Sequence, residues 1–176
     1  VFRGDVKKSP GSPPRLLHVG RISFEKNCDV VLDAFALIRR SVPGATLTIV
    51  GDGPALESLK TLAQRLDIAD AVDFTGFVPR AELPGLYPRY DLFLTASTME
   101  TQGLVVLEAI ASGLPCVGVD AYALPELIHH GENGFIVRPF DPEEMASRAL
   151  DILGDPARFS SFSAAGLRIA AEHDIV

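Results

Sequence analysis

The sequence has few cysteines and fewer basic than acidic residues, and both shortages exclude classes of protein. Its two cysteines, Cys28 and Cys116, do not make a disulfide framework, and their apolar surroundings favour reduced, packed thiols. Sixteen Lys and Arg against 23 Asp and Glu give a net charge of -7. This argues against nucleic-acid binding, which needs a basic surface. Any anionic ligand must be held by a local site, because the overall field repels it.

Long apolar runs, targeting signals and metal-ligand patterns are also missing. No run approaches the roughly 20 apolar residues that span a bilayer, and no signal peptide is visible, so a cytoplasmic location is expected. The four histidines have no metal-ligand spacing and are interpreted as structural, with His129 and His130 at a helix end and His18 nearest the site proposed below. The chain starts at Val1 without a Met and stops at Val176 without a helix stop, which we interpret as a piece of a longer protein.

What is present is a regular alternation of strand and helix patterns. Residues 1–14 are polar and rich in Pro and Gly, and are interpreted as a linker. Periodicity then predicts strands at 15–19, 45–50, 72–75, 92–95, 115–119 and 135–137. It predicts helices at 29–40, 54 to about 66, 81–87, 103–112, 124–129, 142 to about 153 and from 156, the last two capped by Asp141 and Asp155.

Apolar strands that lack strict alternation and are separated by helices predict a particular fold class. It is an α/β domain with a doubly wound (Rossmann-like) parallel sheet of about six strands, covered on both faces. With 47% hydrophobic residues, the chain can build one sizeable core. Such sheets bind ligands at the carboxyl ends of their strands, so the loops that follow strands are the candidate site.

The loop after the fourth strand carries the strongest pattern, with Glu100 in the loop and Glu108 in the next helix. Gly103 opens that helix and directs unpaired backbone N–H groups and the positive end of the dipole into the crevice, which suits a phosphate. The two carboxylates suit sugar hydroxyls, so phosphate and sugar together indicate a nucleotide sugar. Glu100 alone could be a helix cap. Glu108 is harder to explain structurally, because a carboxylate on an apolar helix face is costly to bury unpaired.

Three further loops follow strands. Gly20 would let the backbone approach a ligand, and Arg21 and Lys26 could grip phosphate oxygens; solvated surface cations are the alternative. Residues 51–54 form a tight glycine turn that could border the ligand. Phe77 and Val78 could present backbone amides and a flat surface to a base, or could act as a hydrophobic staple for the next helix.

Together these motifs resemble the C-terminal half of a glycosyltransferase of the GT-B fold, family 4. The resemblance covers roughly residues 15–153. It rests on Gly-Arg and Glu-Lys-Asn within 20–27, Val50-Gly-Asp-Gly-Pro54, Phe74-Thr-Gly-Phe-Val78, the two acids Glu100 and Glu108 with seven residues between them, Ala111-Ser-Gly-Leu-Pro115 and Glu132-Asn-Gly-Phe135. One departure is Thr101-Gln-Gly103, where many relatives have Gly-Phe-Gly.

The resemblance implies a role for each matching position. Arg21 and Lys26 would neutralise the donor's diphosphate without a metal or other cofactor, and the backbone around Gln102, Gly103 and Leu104 would hold the donor at the helix tip. Glu100 would bind hydroxyls of the transferred sugar and Glu108 the ribose, while the backbone at Phe77 and Val78 would border the base. Arg21, Lys26 and Glu100 are the predicted catalytic residues, and transfer would retain the anomeric configuration.

The resemblance also implies partners. Residues 1–14 would link a missing N-terminal acceptor domain to a donor-binding domain at 15–176 with a truncated C-terminal end. The donor would be a nucleotide sugar such as UDP-glucose or GDP-mannose and the acceptor a lipid or glycan, with the full-length protein at the inner face of a membrane. The fragment alone is expected to bind nucleotide weakly and transfer nothing. Two alternatives stay open: a sugar-nucleotide epimerase of the GT-B type, and a non-enzymatic interaction domain whose motif only caps a helix.

Overall fold

The computed structural model describes residues 1–173, and the predicted truncated end at 174–176 lies outside them. Six parallel strands form one sheet in the order β3-β2-β1-β4-β5-β6. The strands are β1 (Arg15–Val19), β2 (Thr46–Val50), β3 (Val72–Gly76), β4 (Leu92–Leu94), β5 (Cys116–Val119) and β6 (Gly134–Val137). The doubly wound parallel sheet predicted from the sequence is confirmed.

Helices cover both faces of this sheet. They are α1 (Cys28–Ser41), α2 (Leu56–Arg65), α3 (Leu83–Leu86), α4 (Leu104–Ala111), α5 (Leu124–Leu127), α6 (Pro142–Leu153) and α7 (Pro156–Ala171). Helix α6 packs against α1, and α7 packs against α4. The predicted caps are confirmed, since Asp141 accepts from the Glu144 N–H at 3.0 Å and Asp155 from the Arg158 N–H at 3.1 Å.

Two predicted helices are shorter in the structure. The helix expected at 81–87 is reduced to α3 between two 3₁₀ turns, because Pro88 lacks the N–H needed to continue a helix. The helix expected at 124–129 ends at Leu127, because the Asn133 side chain takes its hydrogen bonds: Nδ2 donates to Leu127 O at 2.9 Å and Oδ1 accepts the His129 N–H at 2.7 Å. His129 therefore lies beyond the helix end, not in its last turn.

The first 14 residues form no helix or strand, but they pack along the domain. The Gly4 N–H donates to Ala111 O at 2.8 Å, and Phe2 is 8% exposed. Asp91, just before β4, accepts the N–H groups of Gly11 and Arg15 at 2.8 and 2.7 Å. The segment predicted as a linker is thus held against the sheet's amino edge and α4.

The order of the strands opens the crevice that positions the site. Neighbouring strands β1 and β4 lead to helices in opposite directions along the sheet, so the loops after them separate at their carboxyl ends. The turn after β2 closes tightly against this point, since a side chain at Gly51 would lie 1.8 Å from Gly20 O. Cys28 and Cys116 are buried and free, which confirms their interpretation as packed thiols. Within residues 1–173, no helix is long and apolar enough to cross a membrane.

Candidate functional site

Two adjoining cavities lie at the carboxyl ends of β1 to β4. The larger cavity has about 770 Å³ and the smaller about 280 Å³. They share a wall made of five residues, Val19, Gly20, Arg21, Arg80 and Leu83. The two cavities therefore form one continuous cleft. Their shared wall carries the charged side chains of Arg21 and Arg80 and is the divide of the cleft.

Most of the predicted site residues meet in this cleft. The smaller cavity is lined by Gly20, Arg21, Lys26, Glu100, Leu104 and Glu108, together with other residues. The larger cavity adds Phe77, Val78 and the turn at 51–53, so this turn lies at the border of the cleft. Gln102 is exposed and Gly103 buried, and neither lines either of these two cavities. At Gly20 a side chain would meet only His18 Nε2, at 3.8 Å, so the glycine leaves space in the cleft rather than relieving a clash.

A short ion pair joins the loops after β1 and β4. Lys26 Nζ lies 3.0 Å from Glu100 Oε2, with 21% and 19% of the two side chains exposed. Asn27, in the left-handed conformation at φ 52°, fixes this geometry by donating from Nδ2 to Ala96 O at 3.1 Å and to Thr98 Oγ1 at 3.2 Å. The cation and the acid expected to act on the donor are thus held beside each other.

Glu100 also closes the start of α4. Its Oε1 accepts the Gly103 N–H at 3.0 Å, so the capping role considered for Glu100 is present together with the ion pair. This N–H is consequently not free for a ligand, contrary to the expectation that the helix N-terminus offers it. Gly103 itself sits at φ 67°, and a side chain there would come within 2.5 Å of Leu127 Cδ1. Leu104, 44% exposed, is the first helical residue and lines the smaller cavity.

Glu108 is 2% exposed, and two protein groups contact its carboxylate. Tyr87 donates its hydroxyl to Oε2 at 3.0 Å, and Arg80 Nη1 lies 2.8 Å from Oε1. Burial raises the pKa of Glu108, while the hydrogen bond from Tyr87 and the Arg80 charge act in the opposite direction. The sequence argument missed both partners. Arg80 could have been found, because it follows the predicted loop after β3, whereas nothing in the sequence pattern points to Tyr87.

The larger cavity has an apolar mouth. Phe77 is 77% exposed, so it does not act as a buried staple, whereas Val78 packs partly against the core. An exposed aromatic ring at the edge of a cleft is typical of a surface that receives a flat ligand or a partner.

His18 lies beneath the smaller cavity and is held on both sides. Its Nδ1 is 2.8 Å from Leu94 O, its Nε2 is 3.3 Å from Cys28 Sγ, and its ring stacks on Phe93. These contacts agree with the structural role predicted for it. Among the described residues, no group of three or more His, Cys, Asp or Glu side chains converges in a way that could hold a metal ion.

A comparison with family models shows which protein family the chain belongs to. The model described as "Glycosyl transferases group 1" matches residues 4–168. The chain belongs to the group 1 glycosyl transferases. This membership confirms the resemblance drawn from the motifs, and the matched region includes most of the segment before β1.

Two of the curated relatives of this group 1 domain are named for lipids. It is 34% identical over 163 residues to a GDP-mannose-dependent alpha-(1-6)-phosphatidylinositol monomannoside mannosyltransferase of Mycobacterium tuberculosis, covering 89% of this chain and 42% of the relative. It is 47% identical over 102 residues to the alpha-monoglucosyldiacylglycerol synthase of Streptococcus pneumoniae, covering 58% of this chain and 23% of the relative. The chain therefore spans less than half the length of these relatives.

Solved structures agree with the fold of GT-B glycosyltransferases. HepE of Anabaena, solved in complex with UDP, superposes with a TM-score of 0.82 at 30% identity, over 90% of this chain and 44% of HepE. The C-terminal domain of a group 1 glycosyl transferase, LpcC of Francisella tularensis, superposes with a TM-score of 0.86 at 24% identity and covers 98% and 95% of the two chains. The second likeness shows the fold alone.

Proposed function

We propose that this group 1 domain binds a nucleotide-diphosphate sugar and is the donor-binding part of a retaining glycosyltransferase. The longer protein would transfer a hexose, from a donor such as UDP-glucose or GDP-mannose, to a lipid or glycan acceptor. The observation that carries the proposal is the cleft in which Arg21, Lys26, Glu100 and Glu108 line one cavity beside a larger one that Phe77 and Val78 line.

The smaller cavity has the charges that a diphosphate needs. Arg21 and Lys26 line it from the loop after β1, and α4 begins at its wall with Leu104. A guanidinium binds phosphate oxygens in pairs, an ammonium adds a point charge, and helix N-termini favour anions. In an acidic chain this local positive potential gives an anion one place to bind. We propose that these groups stabilise the leaving diphosphate and that no metal is required.

The remaining contacts fit the other parts of a donor. Glu100, already ion-paired with Lys26, would accept hydroxyls of the transferred sugar, and Glu108 would accept those of the ribose. The base would enter the larger cavity beside the backbone of Phe77 and Val78. HepE is described as a complex with UDP and glucose, and the mannosyltransferase relative is named as GDP-mannose-dependent, so both bases are candidates.

The acceptor side belongs to the rest of the protein in this proposal. The curated relatives are more than twice as long as the region they share with this chain. An N-terminal domain would bind the acceptor, and the names of two relatives suggest that this acceptor is a lipid. The full-length protein would then act at the inner face of a membrane. The isolated chain should therefore bind nucleotide but transfer no sugar.

Calorimetric titration with UDP, UDP-glucose and GDP-mannose tests this proposal. We expect weak but measurable binding of at least one of them. Lys26→Ala should weaken it about tenfold, the effect of losing one hydrogen bond to a charged group. Lys60→Ala, a matched loss of charge on α2, should change nothing. No binding of any of the three ligands would contradict the proposal.

A further inference from the structure

Arg80, one partner of the ion pair at the divide of the cleft, has no assigned role in donor binding. Arg80 follows β3, lines both cavities and has 59% of its side chain exposed. Its partner Glu108, in α4, is 2% exposed. A solvent-accessible guanidinium thus reaches a carboxylate that is otherwise removed from water.

The two oxygens of Glu108 have different surroundings. Oε2 accepts the Tyr87 hydroxyl at 3.0 Å. Oε1 is buried and is in contact with the Arg80 guanidinium, whose Nη1 is 2.8 Å away. A carboxylate oxygen has two lone-pair sites, so Oε1 can accept a ligand hydroxyl in addition to the Arg80 contact.

Tyr87 and Arg80 both favour the ionised form of Glu108. Burial raises the pKa of Glu108, and of the two groups that lower it, Tyr87 is neutral and Arg80 is charged. The burial of Tyr87 also raises the pKa of its hydroxyl, so Tyr87 stays a donor. The other titratable or charged groups facing the smaller cavity are His18, Arg21, Lys26 and Glu100, and the last two are paired with each other.

We propose that Arg80 is a positioning residue for nucleotide binding that acts through Glu108. It keeps the Glu108 carboxylate ionised and holds Oε1 as an acceptor for a ribose hydroxyl. Phe2 supports the arrangement, since its ring packs edge-on against Tyr87 with centroids 5.7 Å apart and lies 6.0 Å from the Arg80 guanidinium carbon. The inference rests on the proposed function, because it requires a ribose in the cleft.

The test is a double-mutant cycle of Arg80→Ala and Glu108→Gln, measured by calorimetry with whichever of UDP and GDP binds the wild type more tightly. Arg80→Ala should weaken binding about tenfold at neutral pH. The loss should grow at mildly acidic pH and shrink at mildly alkaline pH, because a carboxyl group of raised pKa is ionised only above that pKa. Arg80→Lys should restore most of the affinity by restoring the charge.

The double variant should bind no more weakly than Glu108→Gln alone, and the pH dependence introduced by Arg80→Ala should disappear in it. Pyrophosphate, which has no ribose, should bind wild type and Arg80→Ala equally. Arg40→Ala, the same charge change in the last turn of α1, should have no effect on either ligand. Thermal unfolding of each variant checks that it is folded.

Three results would overturn the inference while the wild type binds nucleotide. These are unchanged affinity in Arg80→Ala, additive losses in the double variant, and an equal loss for pyrophosphate, which would mean that Arg80 contacts phosphate directly. A wild type that binds neither nucleotide nor pyrophosphate would instead contradict the proposed function, and the inference with it.

Discussion

At the scale of single residues, a few side chains in this group 1 domain combine structural contacts with a place in the cleft. Glu100 closes the start of α4 through the Gly103 N–H and pairs with Lys26 in the cleft. Glu108 is ion-paired with Arg80 and accepts a hydrogen bond from Tyr87. Capping, treated in the sequence as an alternative to ligand binding, therefore leaves Glu100 in the cleft beside Lys26.

The backbone at Gly103, at the start of α4, leaves little space for a side chain. Gly103→Ala would put a methyl group within 2.5 Å of Leu127 Cδ1 at φ 67°, so we expect a loss of about 2–3 kcal/mol in the free energy of unfolding. Urea denaturation measures it. Gly85→Ala, in α3 with no atom within 4 Å of the new Cβ, should instead stabilise by about 0.5–1 kcal/mol. Equal effects of the two changes would show that the backbone at 103 is not constrained.

Tyr87→Phe tests the other carboxylate. The change removes the hydroxyl that donates to Glu108 Oε2 and leaves the ring in its packing against Phe93. We expect a loss of about 1–3 kcal/mol in unfolding free energy, because a buried acceptor loses its donor. The control is Tyr122→Phe, the same change at an exposed position, which should leave the free energy of unfolding unchanged. Phe35→Tyr is not a suitable control, because it would add a polar group to the core. An unchanged free energy of unfolding in Tyr87→Phe would contradict the hydrogen bond from Tyr87 to Glu108.

At the scale of elements, local caps determine where α6 and α7 begin, and a contact from the following loop determines where α5 ends. Asp141 and Asp155 start α6 and α7 where the sequence predicts. The end of α5 at Leu127 depends on the Asn133 side chain, six residues further along the chain. A helix start is a local hydrogen-bond arrangement, whereas this helix end is decided by a loop that folds back.

The cap of α7 gives a prediction at this scale. Asp155→Ala should destabilise the domain by about 1 kcal/mol, because the Arg158 N–H loses its acceptor at the start of a helix that packs on α4. Asp155→Asn should lose much less, since an amide oxygen also caps well. Thermal or urea unfolding of the three proteins compares them. An Asn variant as unstable as the Ala variant would point to charge rather than to capping.

At the scale of the whole molecule, the first 14 residues connect elements that are distant in sequence. They hydrogen-bond to the end of α4 through Gly4 and to α7 through Lys7, whose N–H donates to Ser163 Oγ at 2.9 Å. Asp91 then fixes the entry into β1. The segment therefore belongs to the folded unit of this domain, and Phe2 brings it as far as the partners of Glu108.

Asp91 is the point at which this arrangement can be tested. Asp91→Ala leaves the N–H groups of Gly11 and Arg15 without an acceptor in a poorly exposed place, so we expect a loss of about 2–4 kcal/mol in stability. Cleavage within residues 1–14 by a protease at low concentration should also become faster. Asp73→Ala, at an exposed position of edge strand β3, is the matched control and should do neither. Unchanged cleavage in Asp91→Ala would mean that the segment is held by other contacts.

The sequence by itself determined the fold class, the six strands, the caps of α6 and α7 and the loops that line the cleft. Each of these depends on periodicity, or on side chains within a few residues of the backbone they contact. Only the tertiary structure decided the partners of Glu108, the end of α5 and the attachment of residues 1–14. Arg80 lies 28 positions before Glu108, and Asp91 lies 80 positions after Gly11. Such contacts are set by how the strands order themselves in the sheet, which no local pattern encodes.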